Sequence, residues 1–382
     1  MTDPYNAFLF RDQNASGGGG ALAGVTVGVK ANIKVQGLPF HSGLAAFADR
    51  NADRDAVVVA KLRSAGAAII GILNMEEAAL GAKTDNPHFG ATQNPHRKGF
   101  SPGGSSGGSG AAVAAGLCDV ALGTDTMGSV RIPAAHCGVY GFKPATARVS
   151  QDGLDPADAS LDAIGPLARS LDMLERVACV MSDMGSGSGD LQGATPVGHG
   201  VDTNAAVSQA FATVLASLPA APAEAHLPHP LSRVRFAGFR GVSQSLAYHL
   251  ADTPNMSARL AKLLEYGPAR TAEQVAEDHA ILSETRDRVL ELVDRHGWLL
   301  MPTVPNPPFA HAAPEPAAQA DFTCLANIAG LPALSLPMGW TADGLPLGVQ
   351  IVARDGYEAG MFALARHLDI NFGAYRAPHN WE

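Results

Sequence analysis

The segment from residue 101 to residue 133 restricts the possible folds of this 382-residue chain more than any other. It contains two turns of small residues, at 103–109 and 123–129, joined by an apolar segment at 111–122. A flexible Gly/Ser linker is solvated and flanked by polar sequence, whereas the flank here is apolar and rich in alanine. Glycine permits positive φ and a close approach of the backbone to other groups. We therefore expect backbone amides to gather around the serine hydroxyls of two turns that are tied together through the core.

Alternating strand and helix patterns near the N-terminus predict an α/β fold. Residues 24–33 alternate valine with small residues, as a buried strand does, and they carry Lys30. Residues 55–65 have the apolar spacing of a helix, and residues 67–73 form a second apolar strand, so the two strands should pair in parallel. A buried lysine is costly. This pattern alone leaves open whether Lys30 is held inside or snorkels from the strand end.

Strand patterns from both ends of the chain flank a helical middle, which predicts one domain with an insertion. The later strands are predicted at residues 298–301, 335–337 and 347–352. We assign residues 1–382 to a single domain, with a core at about 25–182 and 298–368 and an inserted, mainly helical region at about 201–297.

Two segments within or beside the helical middle are predicted to lack regular structure. Residues 183–200 are the best linker candidate, because they are rich in Gly and Ser. A proline-rich run at 219–230 interrupts the insertion, and its strongest helix pattern follows at Thr271 to His296.

Charge and composition argue against several classes of function. The formal net charge of -9 does not favour a nucleic-acid or anionic-membrane partner, which would need clustered Lys and Arg. No apolar stretch reaches the roughly 18 residues that span a bilayer, and no basic N-terminal segment precedes an apolar run. We therefore expect a cytoplasmic protein with no membrane partner.

The cysteine and histidine patterns predict neither a metal site nor a disulfide framework. The four cysteines are far apart, with no C-x-x-C pair, and we expect buried free thiols. No H-E-x-x-H motif or close Cys/His set occurs. The cysteines are Cys118, Cys137, Cys179 and Cys324.

Two familiar glycine motifs do not fit the first turn. Residues 103–107 formally satisfy G-x-S-x-G, but the nucleophile elbow of α/β-hydrolases follows a hydrophobic strand. The preceding residues 96–102, HRKGFSP, are basic and broken by proline. The cluster also lacks the Gly-Lys-Ser/Thr ending of a phosphate loop.

One lysine and two serines remain, and their spacing resembles that of the amidase signature family of serine hydrolases. Ser105 follows Lys30 by 75 residues (105 − 30), and Ser129 follows Ser105 by 24 (129 − 105). The short N-terminus is similar to the compact branch of indole-3-acetamide-hydrolase-like amidases. The likeness extends through residues 28–33, 71–77, 94–95, 102–108, 123–133, 137–144, 165–170, 327–332 and 344–350.

The resemblance implies an amidase-signature fold, with a central mixed β-sheet between helices. It also implies that Ser129 is the nucleophile, that Ser105 is a bridging serine in an unusual cis peptide, and that Lys30 accepts and returns the proton. A serine hydroxyl needs an adjacent base, and a lysine can serve as one only when desolvation lowers its pKa. The backbone N–H groups implied to form the oxyanion hole are those of Thr126, Met127, Gly128 and Ser129. No cofactor and no metal enter this chemistry.

Two further residues are candidate substrate contacts. Arg131 either holds a substrate carboxylate or forms a structural ion pair, for which Asp125 is the candidate partner. Met75 either lines the acyl pocket or packs in the core. The chain departs from the family pattern at Ala31, Ala145 and Met127, and Met127 replaces the usual glycine where a side chain restricts φ.

We therefore expect an amidase that hydrolyses a small-molecule carboxamide to an acid and ammonia or an amine. A carbamoyl or ureido hydrolase of the same fold is an alternative, and a non-catalytic amidase-like binding module is another. A transamidase acting on charged tRNA is less favoured, because no RNA-binding surface is evident. The expected partner is the small-molecule amide, and a homodimer is an assembly that the sequence allows.

Overall fold

A large mixed sheet organises the computed structural model, which describes residues 3–187 and 192–379. Eleven strands form it within these ranges, in the order β1-β3-β2-β6-β8-β7-β12-β13-β11-β9-β10, and β4 and β5 make a separate hairpin. The strands are β1 (Phe8–Arg11), β2 (Thr26–Lys30), β3 (Ala68–Leu73), β4 (Asp85–Asn86), β5 (Gly90–Ala91), β6 (Val120–Asp125), β7 (Tyr140–Lys143), β8 (Ala163–Ala168), β9 (Ala194–Val197), β10 (Ala223–His226), β11 (Trp298–Pro302), β12 (Ala333–Trp340) and β13 (Pro346–Ala353).

Helices cover both faces of the sheet, as the predicted α/β class requires. Neighbouring residues of β6 point to opposite sides, since Val120 and Leu122 join one apolar cluster and Ala121 joins another. The α-helices of the described residues are α1 (Val57–Ser64), α2 (Gly107–Ala114), α3 (Arg131–Cys137), α4 (Leu171–Met181), α5 (Ala205–Ser217), α6 (Leu231–His249), α7 (Ala258–Leu264), α8 (Ala272–His296), α9 (Cys324–Ile328) and α10 (Glu358–Phe372).

The N-terminal part of the sheet has the predicted parallel arrangement. β2 pairs in parallel with β3 on one side and with β6 on the other. α1 connects β2 to β3 and α2 connects β3 to β6, so each crossover carries a helix, as parallel strands require. Because β2 lies between two neighbours, Lys30 at its C-terminal end is held in the interior rather than at an edge.

The region predicted as a helical insertion also contributes to the sheet. Its strand β10 lies inside the proline-rich run and pairs in parallel with β9. β9 lies in the segment predicted as a linker, of which residues 188–191 are outside the described residues. One sheet therefore includes strands of both the predicted core and the predicted insertion, which supports our proposal that the chain is a single domain.

Two other expectations from the sequence can be compared with the structure. All four cysteines are free, but only three are buried, because Cys179 lies on an exposed face of α4. Among the described residues, no helix is long and apolar enough to cross a membrane.

Candidate active site

Lys30 and Ser105 meet in the interior of the protein. The Lys30 side chain is fully buried, and its Nζ donates hydrogen bonds to Ser105 Oγ at 2.8 Å and to Thr124 Oγ1 at 2.7 Å. Burial lowers the pKa of Lys30 to about 7, although the carboxylates of Asp162 and Asp125 act in the opposite direction. A neutral amine is therefore accessible near neutral pH, as a base at this position requires.

The first glycine-serine turn is packed, as its apolar flank predicts, and every residue from 101 to 114 is buried. A Cβ on Gly104 would lie 2.8 Å from the backbone between Ala82 and Lys83, and one on Gly108 would lie 2.3 Å from the carbonyl oxygen of Asn74. Only glycine permits this approach. The Gly104–Ser105 peptide bond is cis, as the family resemblance implies.

Serine hydroxyls of the first turn and of α2 form hydrogen bonds with β6, the strand that leads to the second turn. Ser106 Oγ donates to the carbonyl oxygen of Thr124 at 3.2 Å, and Ser109 Oγ donates to that of Leu122 at 2.9 Å. The start of α2 is thus fixed against β6. This contact holds Ser105 and the end of β6 in one place.

Ser129 lies in the second turn, residues 123–129, which we call the nucleophile loop after the role that the family resemblance implies for Ser129. Ser129 is partly exposed and lines a cavity of about 230 Å³, together with Gly104, Thr126 and Met127. We call this cavity the Ser129 cavity. A molecule held in this cavity would contact Ser129.

One of the four N–H groups predicted to form the oxyanion hole is already engaged. The Gly128 N–H donates to Asp125 Oδ1 at 2.7 Å, and the Val130 N–H donates to Asp125 Oδ2 at 3.2 Å. The N–H groups of Thr126, Met127 and Ser129 have no acceptor among the described residues. In this arrangement the Gly128 N–H is bound to the Asp125 carboxylate, so the N–H groups of Thr126, Met127 and Ser129 are the better candidate donors, and the oxyanion hole stays a prediction.

Met127 occupies the loop without backbone strain. Its φ is not positive, whereas Gly128 beside it has φ +135°. The carbonyl oxygen of Met127 accepts a hydrogen bond from Thr323 Oγ1 at 2.6 Å, and its side chain packs against two apolar clusters. Met127 thus shapes the Ser129 cavity through its side chain rather than by distorting the loop.

Arg131 is not available to a substrate carboxylate. It is fully buried and pairs with Asp125 at 2.9 Å, while Gln350 and Asn327 accept its remaining contacts at 2.8 and 2.7 Å. Burial disfavours the ionised form of Asp125, but the Arg131 guanidinium outweighs it and holds the Asp125 pKa at about 2. Of the two roles considered for Arg131, the structure contains the ion pair.

Met75 is separated from the Ser129 cavity. Its side chain is fully buried in the main core cluster and faces a second cavity, of about 240 Å³, next to Asn32. The part of this loop that lines the Ser129 cavity comes later, at residues 79–82. Residues 79–82 of this loop therefore line the Ser129 cavity, whereas Met75, two residues after the end of β3, lines the second cavity, and its contact with a substrate stays a prediction.

Several site residues escaped the sequence analysis. Thr124 is the second hydroxyl bound by Lys30, and Asn32 Nδ2 donates to the same oxygen at 3.3 Å. Asp162 accepts a hydrogen bond from Thr126 Oγ1 at 2.5 Å, and burial raises its pKa to about 6. The only available signal for Thr124 is its place in the same turn as Ser129.

The helical middle supplies much of the cavity wall. α6 contributes Phe236, Phe239 and Val242, which lie three residues apart on one helix face, and α7 contributes Arg259 and Leu263. The loop before α9 closes the cavity with residues 315–320. This region is therefore part of the candidate site.

Comparison with known proteins identifies the family. A sequence profile described as Amidase matches residues 9–197 and 194–362. The chain belongs to the amidase signature family. It is thus an enzyme of amide C–N bond cleavage, with the fold of its amidase-signature neighbours.

Amidase signature relatives resemble the chain over nearly its full length. A glutamyl-tRNA(Gln) amidotransferase subunit of Natronomonas pharaonis is 35% identical over 405 residues, covering 91% of this chain and 96% of the relative. A solved structure from work on a vestigial protein complex and the origins of an s-triazine catabolic enzyme has a TM-score of 0.90 and 28% identity, covering 98% and 93% of the two chains. A 6-aminohexanoate cyclic dimer hydrolase complexed with substrate has a TM-score of 0.82 and 26% identity, covering 94% and 87%.

Proposed function

We propose that this chain hydrolyses a small-molecule carboxamide through an acyl-enzyme formed on Ser129. The observation that carries the proposal is the 2.8 Å hydrogen bond between Lys30 Nζ and Ser105 Oγ, fully buried and adjacent to the cavity that Ser129 lines. A buried lysine with its pKa near 7 is a competent base. A hydroxyl that both accepts and donates can relay the proton between Lys30 and Ser129.

The reaction uses these groups in sequence. Neutral Lys30 takes the Ser105 proton, Ser105 takes the Ser129 proton, and Ser129 Oγ forms a bond to the substrate carbonyl carbon. The oxyanion is stabilised by the N–H groups of the nucleophile loop that have no acceptor among the described residues, those of Thr126, Met127 and Ser129. The C–N bond breaks as the proton returns through Ser105 to the leaving amine. Water then attacks the ester, and the acid leaves with Ser129 restored.

The size of the Ser129 cavity supports a small substrate. Its volume of about 230 Å³ is below the range of about 300–1,000 Å³ for sites that hold drug-sized ligands. Its wall combines apolar residues of α6 with a few polar groups, so a short amide with a compact second substituent fits its character.

Nitrogen transfer to glutamyl-tRNA is the second candidate. It is favoured by the 35% identity to the glutamyl-tRNA(Gln) amidotransferase relative over 91% of this chain. In that case the amide substrate would supply ammonia to a second active site in another protein of a complex. Hydrolysis of a ureido or carbamoyl compound would use the same relay.

Ammonia release from a panel of amides tests the proposal. The panel contains primary carboxamides, ureido acids, carbamates and glutamine, with Ser129→Ala as the control. We expect release from carboxamides by the purified chain alone and none by Ser129→Ala. Release from glutamine only, and only when charged tRNA and partner proteins are added, would replace hydrolysis by the transfer reaction.

A further inference from the structure

Gln319 lies in the wall of the Ser129 cavity with its side-chain amide unpaired. The residue is 2% exposed, and neither Nε2 nor Oε1 has a hydrogen-bond partner among the residues that the structure describes. An amide that is removed from water without a new partner destabilises the folded chain. Buried polar groups without a hydrogen-bond partner are rare in native proteins. One that lies beside a substrate cavity is explained if the bound ligand supplies the missing partner.

The cationic groups of the same wall are already paired. Arg235 forms a salt bridge with Asp321, and Arg259 forms salt bridges with Glu76 and, at 2.5 Å, with Glu315. Each guanidinium thus faces at least one carboxylate. Among the described residues of this wall, a substrate carboxylate finds no unpaired cation, whereas a neutral polar group finds Gln319.

We propose that Gln319 is a specificity-determining residue that binds a second amide-type group of the substrate. A carboxamide or ureido group carries an N–H donor beside a C=O acceptor, the same pair that Gln319 presents. Gln319 Oε1 accepts from the substrate N–H, and Gln319 Nε2 donates to the substrate carbonyl. Because neither side-chain atom has another partner among the described residues, the Gln319 amide can rotate by half a turn. It can therefore bind a substrate group with its donor and acceptor in either arrangement.

This assignment rests on the proposed hydrolysis and names its substrate class, a small neutral molecule with two amide-type groups. One carbonyl is attacked by Ser129, and the other group is held by Gln319. A site built to hydrogen-bond a polar group discriminates strongly against an analogue that lacks it, since the protein group is then left unpaired.

Matched substrate pairs test the assignment by kinetics. The diamides from malonamide to adipamide are each compared with the analogue in which the distal NH₂ is replaced by CH₃. For the best diamide we expect kcat/KM at least about tenfold above that of its methyl-ketone analogue, and a ratio near one for Gln319→Leu. Val242→Ala changes the same wall without removing a polar group, so it should shift both rates together and preserve the ratio. A wild-type ratio near one, or a ratio unchanged in Gln319→Leu, overturns the assignment.

Two measurements do not depend on turnover. In the Ser129→Ala background, calorimetry should show at least about tenfold weaker binding of the diamide when Gln319→Leu is added, and no preference between the two analogues. The melting temperature of unliganded Gln319→Leu should rise, because two unpaired buried polar atoms are removed. A glutamine that only supports the fold would make it fall. If no amide is turned over, the proposed hydrolysis fails, and equal binding of diamide and ketone by Ser129→Ala then overturns the role of Gln319 as well.

Discussion

The ability of Lys30 to act as a base depends on its burial. Its pKa is lowered to about 7 by burial, and only the neutral form can accept a proton. kcat/KM should therefore rise with pH through a midpoint near 7 and then level off. Lys30→Met keeps the volume but removes the amine, and it should lower kcat at least about a hundredfold while the protein stays folded. A rate that does not change between pH 6 and 8 would contradict the role of Lys30.

Gly128 fixes the nucleophile loop through the absence of a side chain. Its φ is +135°, and an added Cβ would lie 2.2 Å from Thr323 Oγ1, the hydroxyl that holds the carbonyl of Met127. Gly128→Ala should therefore displace the oxyanion donors and reduce kcat about a hundredfold or more. The matched control is Gly24→Ala, which has φ +79° and open space around the new Cβ. Equal kcat values for the two variants would refute this interpretation of the loop.

The family resemblance pointed to side chains that would meet, but the sequence did not predict their fine orientation. The resemblance to the amidase signature family implied that Lys30 and Ser105 act together, and the structure brings Lys30 Nζ within 2.8 Å of Ser105 Oγ. The engagement of the Gly128 N–H was not predictable, because it depends on how the Asp125 carboxylate is turned by Arg131. The positions of both side chains depend in turn on residues distant in sequence, since Asn327 donates to Asp125 Oδ1 and Gln350 accepts from Arg131.

Among the elements, α8 has the clearest local determinant of its start. Thr271 Oγ1 accepts from the Gln274 N–H at 3.3 Å, and the Gln274 side chain accepts from the Thr271 N–H at 3.1 Å, a capping box. Thr271→Ala should lower the free energy of unfolding by about 1 kcal/mol. Chemical denaturation would measure this loss. The control is Thr213→Ala, on the exposed side of α5, which should change the free energy of unfolding by less than about 0.5 kcal/mol.

The sequence did not predict the strands β9 and β10. β10 lies within a proline-rich run, and β9 lies at the end of a Gly/Ser-rich segment. Their pairing joins Ala194 to Ala223 and Val197 to His226, so each strand depends on a partner well removed in sequence. α6 lies in the region that was predicted to be mainly helical, but its apolar spacing suits core packing and cavity lining equally.

At the scale of the whole molecule, two buried histidines and one partly buried histidine make stability sensitive to acid. Burial lowers the pKa values of His41, His96 and His136 to about 4. Between pH 6.5 and 4 the unfolded chain therefore binds more protons than the folded one, and stability falls as pH falls. Asp162, whose pKa is raised to about 6, acts in the opposite direction, and so do Glu315 and Asp321, whose pKa values burial also raises.

Urea denaturation at several pH values measures this effect. The midpoint should be lower at pH 5 than at pH 7. The exposed His279→Gln should leave that difference unchanged, whereas His136→Gln should reduce it. Equal midpoints at pH 5 and pH 7 for the wild-type chain would contradict the prediction.

Thr323 and Asn327 hold the nucleophile loop in place. This contact affects the stage of synthesis at which the enzyme can become active. Both residues contact the loop across 196 or more positions, and β7 acquires its neighbour β12 only from residues 333–340. A ribosome-bound chain that has completed Lys30, Ser105 and Ser129 still has an unsupported nucleophile loop and an open sheet edge. We therefore expect nascent chains to cleave amides only after residues 323–340 have emerged, and until then the exposed edge of β7 is open to chaperones and to aggregation.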